Sequence, residues 1–331
     1  MQNTTRDKHE KPRLLLTRRL PDPLMERIGW RFSAWVNPHD RTLTREELQL
    51  AVEQHQPSIM LVMAMDQIDA ACITGLPDGV QVIATLSVGH EHIDIETAQL
   101  RSIAVLHTPD VLSNAVAEIA ILLILGSARR AREGAQLIDE DRWLGWSPTQ
   151  LLGRDVTGAR LGILGMGRIG RTIAKRAARG FEMQVHYHNR SRLPPEVENG
   201  ATYHASLEGL LAKSEFLVLA APSTAKTKGI LNADSIGKLP RGGIVVNIAR
   251  GDLIDDEALI DALRSGYLAA AGLDVFNNEP RIHPGYRELS NVFMQPHQGS
   301  STMGTRVRMG SMLLDRIDAL TAGEEVSTRL A

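Results

Sequence analysis

The sequence of 331 residues has little of several features that mark special classes of protein. Its single cysteine, Cys72, excludes a disulfide within the chain and indicates a reducing compartment. A formal net charge of −2 provides no basic field for nucleic acid or for an anionic membrane. The longest apolar run, residues 119–125, is too short to span a bilayer, and the polar N-terminus lacks the apolar core of an export signal. We therefore expect a cytoplasmic protein that binds neither nucleic acid nor membrane.

What the sequence does contain is a regular alternation of strand-like and helical runs. In the first third, strands are predicted over 13–20, 31–37, 58–64 and 80–86. A helix is predicted over 44–54, with Thr44 as its N-cap and Glu47 as the capping-box partner. The near-continuous apolar runs are typical of parallel strands that are buried on both faces.

A second alternation begins near Ala159 and continues to residue 296. It includes a helix that we expect to end at Gly180, a short helix capped by Ser206 and a helix that ends at Gly266. Strands that alternate with helices over this length form βαβ units. The predicted fold class is therefore α/β, with doubly wound parallel sheets.

A glycine-rich turn, GMGRIG, lies between a strand and a helix of this second series. Gly165 permits the tight turn, Gly167 lets a pyrophosphate approach the backbone, and Gly170 lets helix and strand pack closely. The amides of Arg168 and Ile169 would face the phosphates at the helix N-terminus. Because this dinucleotide fingerprint lies in the middle of the chain, the preceding α/β unit must be a separate domain.

Four polar residues lie at or just beyond the ends of predicted strands, where open α/β sheets bind ligands. They are Arg250, Asp274, Glu279 and His297. An arginine can hold a carboxylate with two hydrogen bonds, and a histidine beside a carboxylate is favoured in its protonated form. This set suits hydride reduction of a carbonyl that has a neighbouring carboxylate. Taken singly, Glu279 could equally be a solvated loop acid, and Arg250 part of a surface ion pair.

The stretch VHYHNRSR, residues 185–192, lies about twenty residues beyond the glycines, where an NAD site has a carboxylate for the ribose hydroxyls. It has no acid, and offers Asn189, Arg190 and Ser191 with Arg192 behind them. An arginine and neutral donors can bind a 2′-phosphate through charge-assisted hydrogen bonds. The stretch therefore predicts a preference for NADPH over NADH, the alternative being loop residues that face water.

Several motifs together resemble the D-isomer-specific 2-hydroxyacid dehydrogenases, and most closely the glyoxylate and hydroxypyruvate reductases among them. They include SVGHEHID, SNAVAEIAILLIL, GARLGILGMGRIG, VVNIARGDLIDDEAL, AGLDVFNNEP and PHQGSST. The resemblance implies NADPH-dependent reduction of small 2-oxo acids, such as glyoxylate and hydroxypyruvate, to D-2-hydroxy acids. It also implies two Rossmann-like or flavodoxin-like domains with the active site in the cleft between them. The substrate domain would be discontinuous, 1–107 plus 297–331, and the cofactor domain would be 108–296.

The resemblance also implies individual roles. Arg250 would bind the substrate carboxylate and polarise the carbonyl, His297 would be the general acid, and Glu279 would orient it. The amides of Val88 and Gly89 would help to hold the substrate. Asp274 would bind the nicotinamide carboxamide, and the remaining cofactor contacts would come from Met166, Pro222, Thr227, Ile248 and Ser300. The sequence departs from the family pattern at Gln298 and Ser301, and neither change removes a catalytic group.

Two further expectations concern metals and partners. The histidine pairs His90–His92 and His186–His188 lack further ligands at zinc spacing, so no metal is expected. A homodimer is expected through the cofactor domains, with the Trp143–Trp146 loop at its interface. In the resembling reductases an aromatic residue of this loop reaches the partner subunit's active site, a role we assign to Trp146 against the alternative of simple dimer packing. A different class of function stays open, a dinucleotide-sensing interaction protein, since some relatives act as transcriptional corepressors.

Overall fold

The computed structural model describes residues 11–326 and 329–331, and the chain divides into two compact units. One unit takes Met1–Leu112 and Thr302–Ala331, as far as these are described, and the other takes Ser113–Ser301. The predicted boundaries were 107/108 and 296/297. In the structure, residues 108–112 belong to the first unit and residues 297–301 to the second. The first ten residues, on which much of the expectation about export rests, lie outside the described part.

The first unit is built on a parallel sheet of five strands in the order β2-β1-β3-β4-β5. This is the order of a flavodoxin-like doubly wound fold. Its strands are β1 (Arg13–Leu16), β2 (Ser33–Val36), β3 (Ile59–Val62), β4 (Val82–Thr85) and β5 (Ala104–Leu106). Its first helices are α1 (Asp22–Arg31), α2 (Arg45–His55), α3 (Ala70–Thr74) and α4 (Ile95–Leu100).

Local sequence explains the clearest of these elements. Every residue of β3 and β4 is buried, as their near-continuous apolar runs predict for strands covered on both faces. The predicted capping box of α2 is confirmed: the Thr44 hydroxyl accepts from the Glu47 amide, and the Glu47 carboxylate accepts from the Thr44 amide.

The second unit is built on a parallel sheet of seven strands in the order β12-β11-β10-β9-β6-β7-β8. Six of these strands, in the spatial order β8-β7-β6-β9-β10-β11, follow the Rossmann order, and β12 extends the sheet beyond β11. Its strands are β6 (Arg160–Leu164), β7 (Gln184–His188), β8 (Thr202–Tyr203), β9 (Phe216–Leu219), β10 (Ile244–Asn247), β11 (Ala270–Leu273) and β12 (Val292–Met294). Its helices are α5 (Ser113–Ala128), α6 (Ala131–Asp139), α7 (Arg168–Phe181), α8 (Pro195–Glu198), α9 (Leu207–Leu211), α10 (Ala233–Ile236), α11 (Asp256–Arg264) and α12 (Gly285–Glu288).

Two predicted helix ends in this unit had different outcomes. Gly266 follows α11 with a φ of 69°, as expected for a glycine that ends a helix. The predicted end of α7 at Gly180 is wrong, because the left-handed residue is Glu182, with a φ of 55°. The amide of Met183 bonds back to the Ala177 carbonyl at 3.2 Å, and Met183 is buried. Burial of that side chain closes the helix two residues beyond the glycine.

The last helix, α13 (Met303–Thr321), returns to the first unit and packs against α1. Arg27 of α1 pairs with Asp315 at 2.6 Å, and Arg31 pairs with Asp318 at 2.8 Å. These contacts join the two sequence segments of the discontinuous unit. Within the described residues, no helix combines the length and apolar character needed to cross a bilayer.

Candidate active site

The glycine turn lies between β6 and α7, at the point where the strand order of the second unit reverses. Gly165 has a φ of 98°, and a Cβ there would lie 2.5 Å from the Ala221 amide beyond β9. A Cβ at Gly170 would lie 2.3 Å from the Gly165 carbonyl oxygen. A Cβ at Gly167 would meet nothing within 4 Å. Two glycines therefore allow close packing, while the third leaves open space over the N-terminus of α7, which fits a pyrophosphate.

The amides around this turn differ in what they already bind. The Met166 amide donates to the Asn189 side-chain oxygen at 2.7 Å, and the Met166 side chain is buried. The structure therefore gives Met166 a role in holding the turn against the loop after β7. Arg168 and Ile169 begin α7, and the first amides of a helix have no partner within the helix. Their predicted contact with the cofactor phosphates stays a prediction.

The loop after β7 separates its two arginines. Arg190 and Ser191 are exposed, and Arg190 forms no ion pair with any residue that the structure describes. Arg192 binds the Glu198 carboxylate through two hydrogen bonds, Nε to Oε1 at 2.8 Å and Nη2 to Oε2 at 3.0 Å. Arg190 is therefore the arginine of the pair whose charge is not already balanced within this loop.

The turns after β9 and β10 contain three more predicted cofactor residues. The Thr227 hydroxyl donates to the Pro222 carbonyl at 2.7 Å and accepts from the Thr224 amide at 2.8 Å. It thereby closes the turn in which Pro222 is exposed. Ile248 follows β10 and is buried, with its amide bonded to the Leu219 carbonyl at 3.4 Å. The predicted contacts of all three with the cofactor stay predictions.

His297 lies just beyond β12, and its ring contacts the Glu279 carboxylate. The His297 Nδ1 is 2.7 Å from Glu279 Oε2, and Glu279 Oε1 accepts from the Phe276 amide at 2.8 Å. An ionised carboxylate only accepts, so Nδ1 carries the proton and Nε2 is the ring nitrogen left for proton transfer. The Glu279 side chain is 15% exposed and that of His297 is 40% exposed. Glu279 therefore fixes the orientation of a histidine ring that is partly exposed to solvent.

Asp274 fixes the backbone that carries this histidine. Its side chain is 1% exposed, and its two oxygens accept from the amides of Gln298 at 2.6 Å and Gly299 at 2.8 Å. The Asp274 carbonyl also accepts from the His297 amide at 2.8 Å. Burial raises the pKa of Asp274, and these amide hydrogen bonds oppose that rise. His297 is held in the left-handed region, with a φ of 54°.

These hydrogen bonds explain why residues 297–301 belong to the second unit. The sequence did not indicate that Asp274 would hold the backbone of this segment. The predicted contacts of Asp274 with the nicotinamide carboxamide, and of the half-buried Ser300 with the cofactor, stay predictions.

Arg250 lies three residues beyond the end of β10, in a segment that packs tightly on the one carrying Glu279. Its Nη1 donates to the Ala249 carbonyl at 2.8 Å, and its own carbonyl accepts from the Asn247 side chain at 2.8 Å. A Cβ at the next residue, Gly251, would lie 1.9 Å from the Phe276 carbonyl carbon. Only glycine allows this contact, which brings the Arg250 segment against Phe276 and Asn277, just before Glu279 in the chain.

Val88 and Gly89 lie beyond β4 in the first unit. The Val88 carbonyl is 3.0 Å from His107 Nδ1, and the Gly89 carbonyl accepts from the Ser87 hydroxyl at 2.5 Å. Because the C=O and N–H of a trans peptide point in opposite directions, the Gly89 amide points away from His107. The loop is fixed by these bonds, and its predicted contact with a substrate carboxylate stays a prediction.

Three of the four histidines in the pairs of the sequence, His92, His186 and His188, bind neighbouring protein groups. His186 Nδ1 lies 3.0 Å from His204 Nε2, and burial lowers the pKa of both rings. His188 Nδ1 bonds to the His204 carbonyl, and His92 Nε2 bonds to the Thr85 hydroxyl. Across the described part of the chain, no three histidine, cysteine or acidic side chains are grouped so that they could hold a metal ion.

Sequence reasoning missed two residues of the site, Glu198 and Gly251, and it missed the contact that Asn189, a predicted cofactor residue, makes with the glycine turn. Glu198 pairs with Arg192, Asn189 holds the glycine turn, and Gly251 lets two site segments meet. A glycine directly after a strand-end arginine was a usable signal for the last of these. The other two depend on side-chain directions within a loop, which the sequence does not specify.

The second unit matches the family model described as "D-isomer specific 2-hydroxyacid dehydrogenase, NAD binding domain" over residues 121–299. The chain is 40% identical over 323 residues to a glycerate dehydrogenase of Hyphomicrobium methylovorum, covering 97% of this chain and 99% of that protein. The chain belongs to the D-isomer-specific 2-hydroxyacid dehydrogenase family. Its second unit is the family's NAD(P)-binding domain.

Solved structures agree with this assignment. A protein of Polaromonas sp. JS6 66, provisionally named as an NAD-binding member of the same family, has a TM-score of 0.92 and 48% identity, covering 97% of this chain and 100% of that chain. An NADPH-dependent glyoxylate/hydroxypyruvate reductase of Sinorhizobium meliloti, in complex with NADP and malonate, has a TM-score of 0.85 and 30% identity, covering 97% of each chain. The predicted fold class, two parallel-sheet α/β domains, is confirmed.

Proposed function

We propose that this dehydrogenase reduces small 2-oxo acids, such as glyoxylate and hydroxypyruvate, to D-2-hydroxy acids with NADPH. The observation that carries the proposal is the Glu279–His297 pair, in which Glu279 holds Nδ1 and leaves Nε2 for proton transfer. Arg250 lies in a segment packed on the same loop. The activities for which two relatives are named, glycerate dehydrogenase and glyoxylate/hydroxypyruvate reductase, support this substrate class.

Each residue has a separate task in this proposal. The glycine turn and the loop after β7 would hold NADPH, which would supply the hydride that reduces the carbonyl carbon. His297 donates a proton from Nε2 to the carbonyl oxygen, and Glu279 keeps the ring oriented through its hydrogen bond with Nδ1. Arg250 binds the substrate carboxylate through its planar fork. The activity is tested by the loss of absorbance of NADPH, and separately of NADH, on addition of glyoxylate or hydroxypyruvate. Chiral analysis tests whether the product formed from hydroxypyruvate is the D-isomer. If neither acid is turned over, the proposed reductase activity is rejected, and the alternative of a dinucleotide-sensing interaction protein is favoured.

The preference for NADPH rests on the loop after β7. Arg190 and Ser191 are exposed at the end of the strand where an NAD site presents a carboxylate. The Asn189 side-chain oxygen already accepts from the Met166 amide, which leaves its NH₂ group as the donor. The NADPH-dependent relative of known structure is consistent with this choice.

Replacement of Arg190 by alanine is expected to weaken NADPH by about 10–10²-fold and to leave NADH almost unchanged. The loss corresponds to one hydrogen bond to a charged group, about 1.5–3 kcal/mol, at about 1.4 kcal/mol for each factor of ten. The measurement is KM for each cofactor at fixed hydroxypyruvate. Arg241→Ala is a matched control, because Arg241 is exposed before β10, at the opposite end of the parallel strands. A wild type that prefers NADH, or a variant that loses both cofactors equally, would contradict the assignment.

We also propose that the protein is a cytoplasmic homodimer assembled through the cofactor domains. The connection after α6 exposes several large apolar side chains, among them Leu144 at 99% and Trp146 at 83%. Trp143 and Leu152 of the same connection are exposed as well, and so is Ile138 in the last turn of α6. A concentration of apolar side chains on one surface segment is typical of an interaction site, and a second copy is the commonest partner of a soluble chain.

Light scattering at micromolar concentration is expected to give twice the chain mass of 36.3 kDa. Replacing Leu144 and Trp146 together by serine is expected to shift the protein towards the monomer, since this removes two exposed apolar side chains from the proposed interface. The pair Trp30 and Leu100 is a control, because both are exposed apolar residues of the first unit. A monomeric wild type would reject the proposal.

A further inference from the structure

A buried carboxylate lies behind the loop that carries Arg190 and Ser191. Glu198 ends α8 and is only 6% exposed, which is unusual for a glutamate. Its Oε1 accepts from the Tyr187 hydroxyl at 2.6 Å and from Arg192 Nε at 2.8 Å. Its Oε2 accepts from Arg192 Nη2 at 3.0 Å. The bidentate geometry and the third hydrogen bond give this carboxylate a satisfied, fixed position.

Tyr187 extends the network to the backbone of the loop. Its side chain is fully buried in β7, and its hydroxyl accepts from the Leu193 amide at 2.9 Å while it donates to Glu198. The loop is therefore fixed at its far end by Tyr187 and Glu198. At its near end, Asn189 is fixed to the Met166 amide of the glycine turn. Between these anchors lie the two exposed residues proposed to bind the 2′-phosphate.

The charges of the network decide what Arg192 can do. Hydrogen bonds from Arg192 and Tyr187 hold the pKa of Glu198 at about 2, so the carboxylate is ionised at neutral pH. Arg192 balances that charge, and both of its bonded nitrogens point at Glu198. Arg192 therefore fixes the loop's shape, and a ligand phosphate would have to compete with the bidentate carboxylate for Nε and Nη2.

We propose that Glu198 is a positioning residue for recognition of the cofactor's 2′-phosphate. Acting through Arg192 and Tyr187, it fixes the loop so that Arg190 and Ser191 face the phosphate. This inference rests on the proposed preference for NADPH. It differs from a direct role, because Glu198 itself repels a phosphate and is buried away from solvent.

The test measures binding of 2′,5′-ADP and 5′-AMP by calorimetry, so that it depends on no turnover. Glu198→Gln keeps the side-chain shape but removes the charge that holds Arg192. The variant is expected to bind 2′,5′-ADP about tenfold more weakly and 5′-AMP within about twofold of wild type, in the range of coupling within one hydrogen-bond network. Arg192→Gln is expected to give a similar loss, and the double variant no more than either single one, because the two residues act as a unit.

Glu196→Gln is the matched control, since Glu196 is an exposed acid in the same helix. It is expected to bind both nucleotides as wild type does. If Glu198→Gln does not fold, Tyr187→Phe removes only the bridging hydroxyl and is expected to weaken 2′,5′-ADP by about threefold.

Two outcomes overturn the inference. If wild type discriminates 2′,5′-ADP from 5′-AMP and Glu198→Gln binds 2′,5′-ADP as well or more tightly, only the positioning role is rejected, and tighter binding would mean that Arg192 is a phosphate ligand once released. If wild type does not discriminate the two nucleotides, the proposed cofactor preference is rejected together with this inference.

Discussion

Replacement of His297 by alanine is expected to lower kcat for glyoxylate reduction by about 10²–10⁴-fold, the usual contribution of a general acid–base group. Glu279 occupies Nδ1 of this ring at 2.7 Å, so Nε2 is the nitrogen available to give a proton to the carbonyl oxygen. Affinity for NADPH is expected to stay nearly unchanged, because the glycine turn and the loop after β7 are untouched. Steady-state rates and cofactor binding by fluorescence measure the two quantities separately.

A second histidine–glutamate pair provides the control. His283 Nε2 lies 3.0 Å from Glu257 Oε1 on the exterior of the same unit. His283→Ala removes the same side chain and a similar histidine–glutamate hydrogen bond and is expected to leave kcat near wild type. A His297→Ala enzyme that reduces glyoxylate at close to the wild-type rate would show that another group supplies the proton.

Arg250→Lys is expected to lower kcat/KM for 2-oxo acids by about 10²-fold, although the positive charge is kept. Lysine lacks the planar fork, so it cannot reproduce two parallel hydrogen bonds to a carboxylate, and one bond to a charged group contributes about 1.5–3 kcal/mol. NADPH affinity is expected to change little. The measurement is kcat/KM for glyoxylate and hydroxypyruvate at saturating cofactor.

Glycolaldehyde separates substrate recognition from structural support in this variant. It is an aldehyde of similar size without a carboxylate, so its poor turnover should be nearly the same in wild type and in Arg250→Lys. An equal loss for glycolaldehyde and glyoxylate would indicate that Arg250 holds the packed segment at Gly251 and does not bind the substrate.

The larger features of the fold could be predicted because long apolar runs in the sequence mark the strands that are buried. The apolar runs at 58–64 and 80–86 correspond to β3 and β4, which are buried on both faces. Short elements lack such a signal. The edge strand β8 has two residues and β5 has three, too few to show a period. The end of α7 was placed wrongly because burial of Met183 outweighed the local preference for glycine.

Positions of site residues were more predictable than their contacts. Arg250, Asp274 and His297 follow consecutive parallel strands, and such strand ends lie along one edge of a sheet. The sequence does not indicate which atoms meet there. Asp274 binds the amides of Gln298 and Gly299, a contact that depends on the path of the backbone after β12.

The backbone at His297 has a consequence for attempts to make this protein more robust. Its φ of 54° lies in the left-handed region, which is less favourable by about 1–2 kcal/mol for most residues with a side chain. Glycine and asparagine adopt this conformation more readily. A redesign guided by backbone propensity and scored on melting temperature alone would favour one of those two residues at position 297. Any such gain at position 297 would come from removing the proposed proton donor. A thermostability campaign on this chain should therefore hold residue 297 constant and seek its improvements elsewhere.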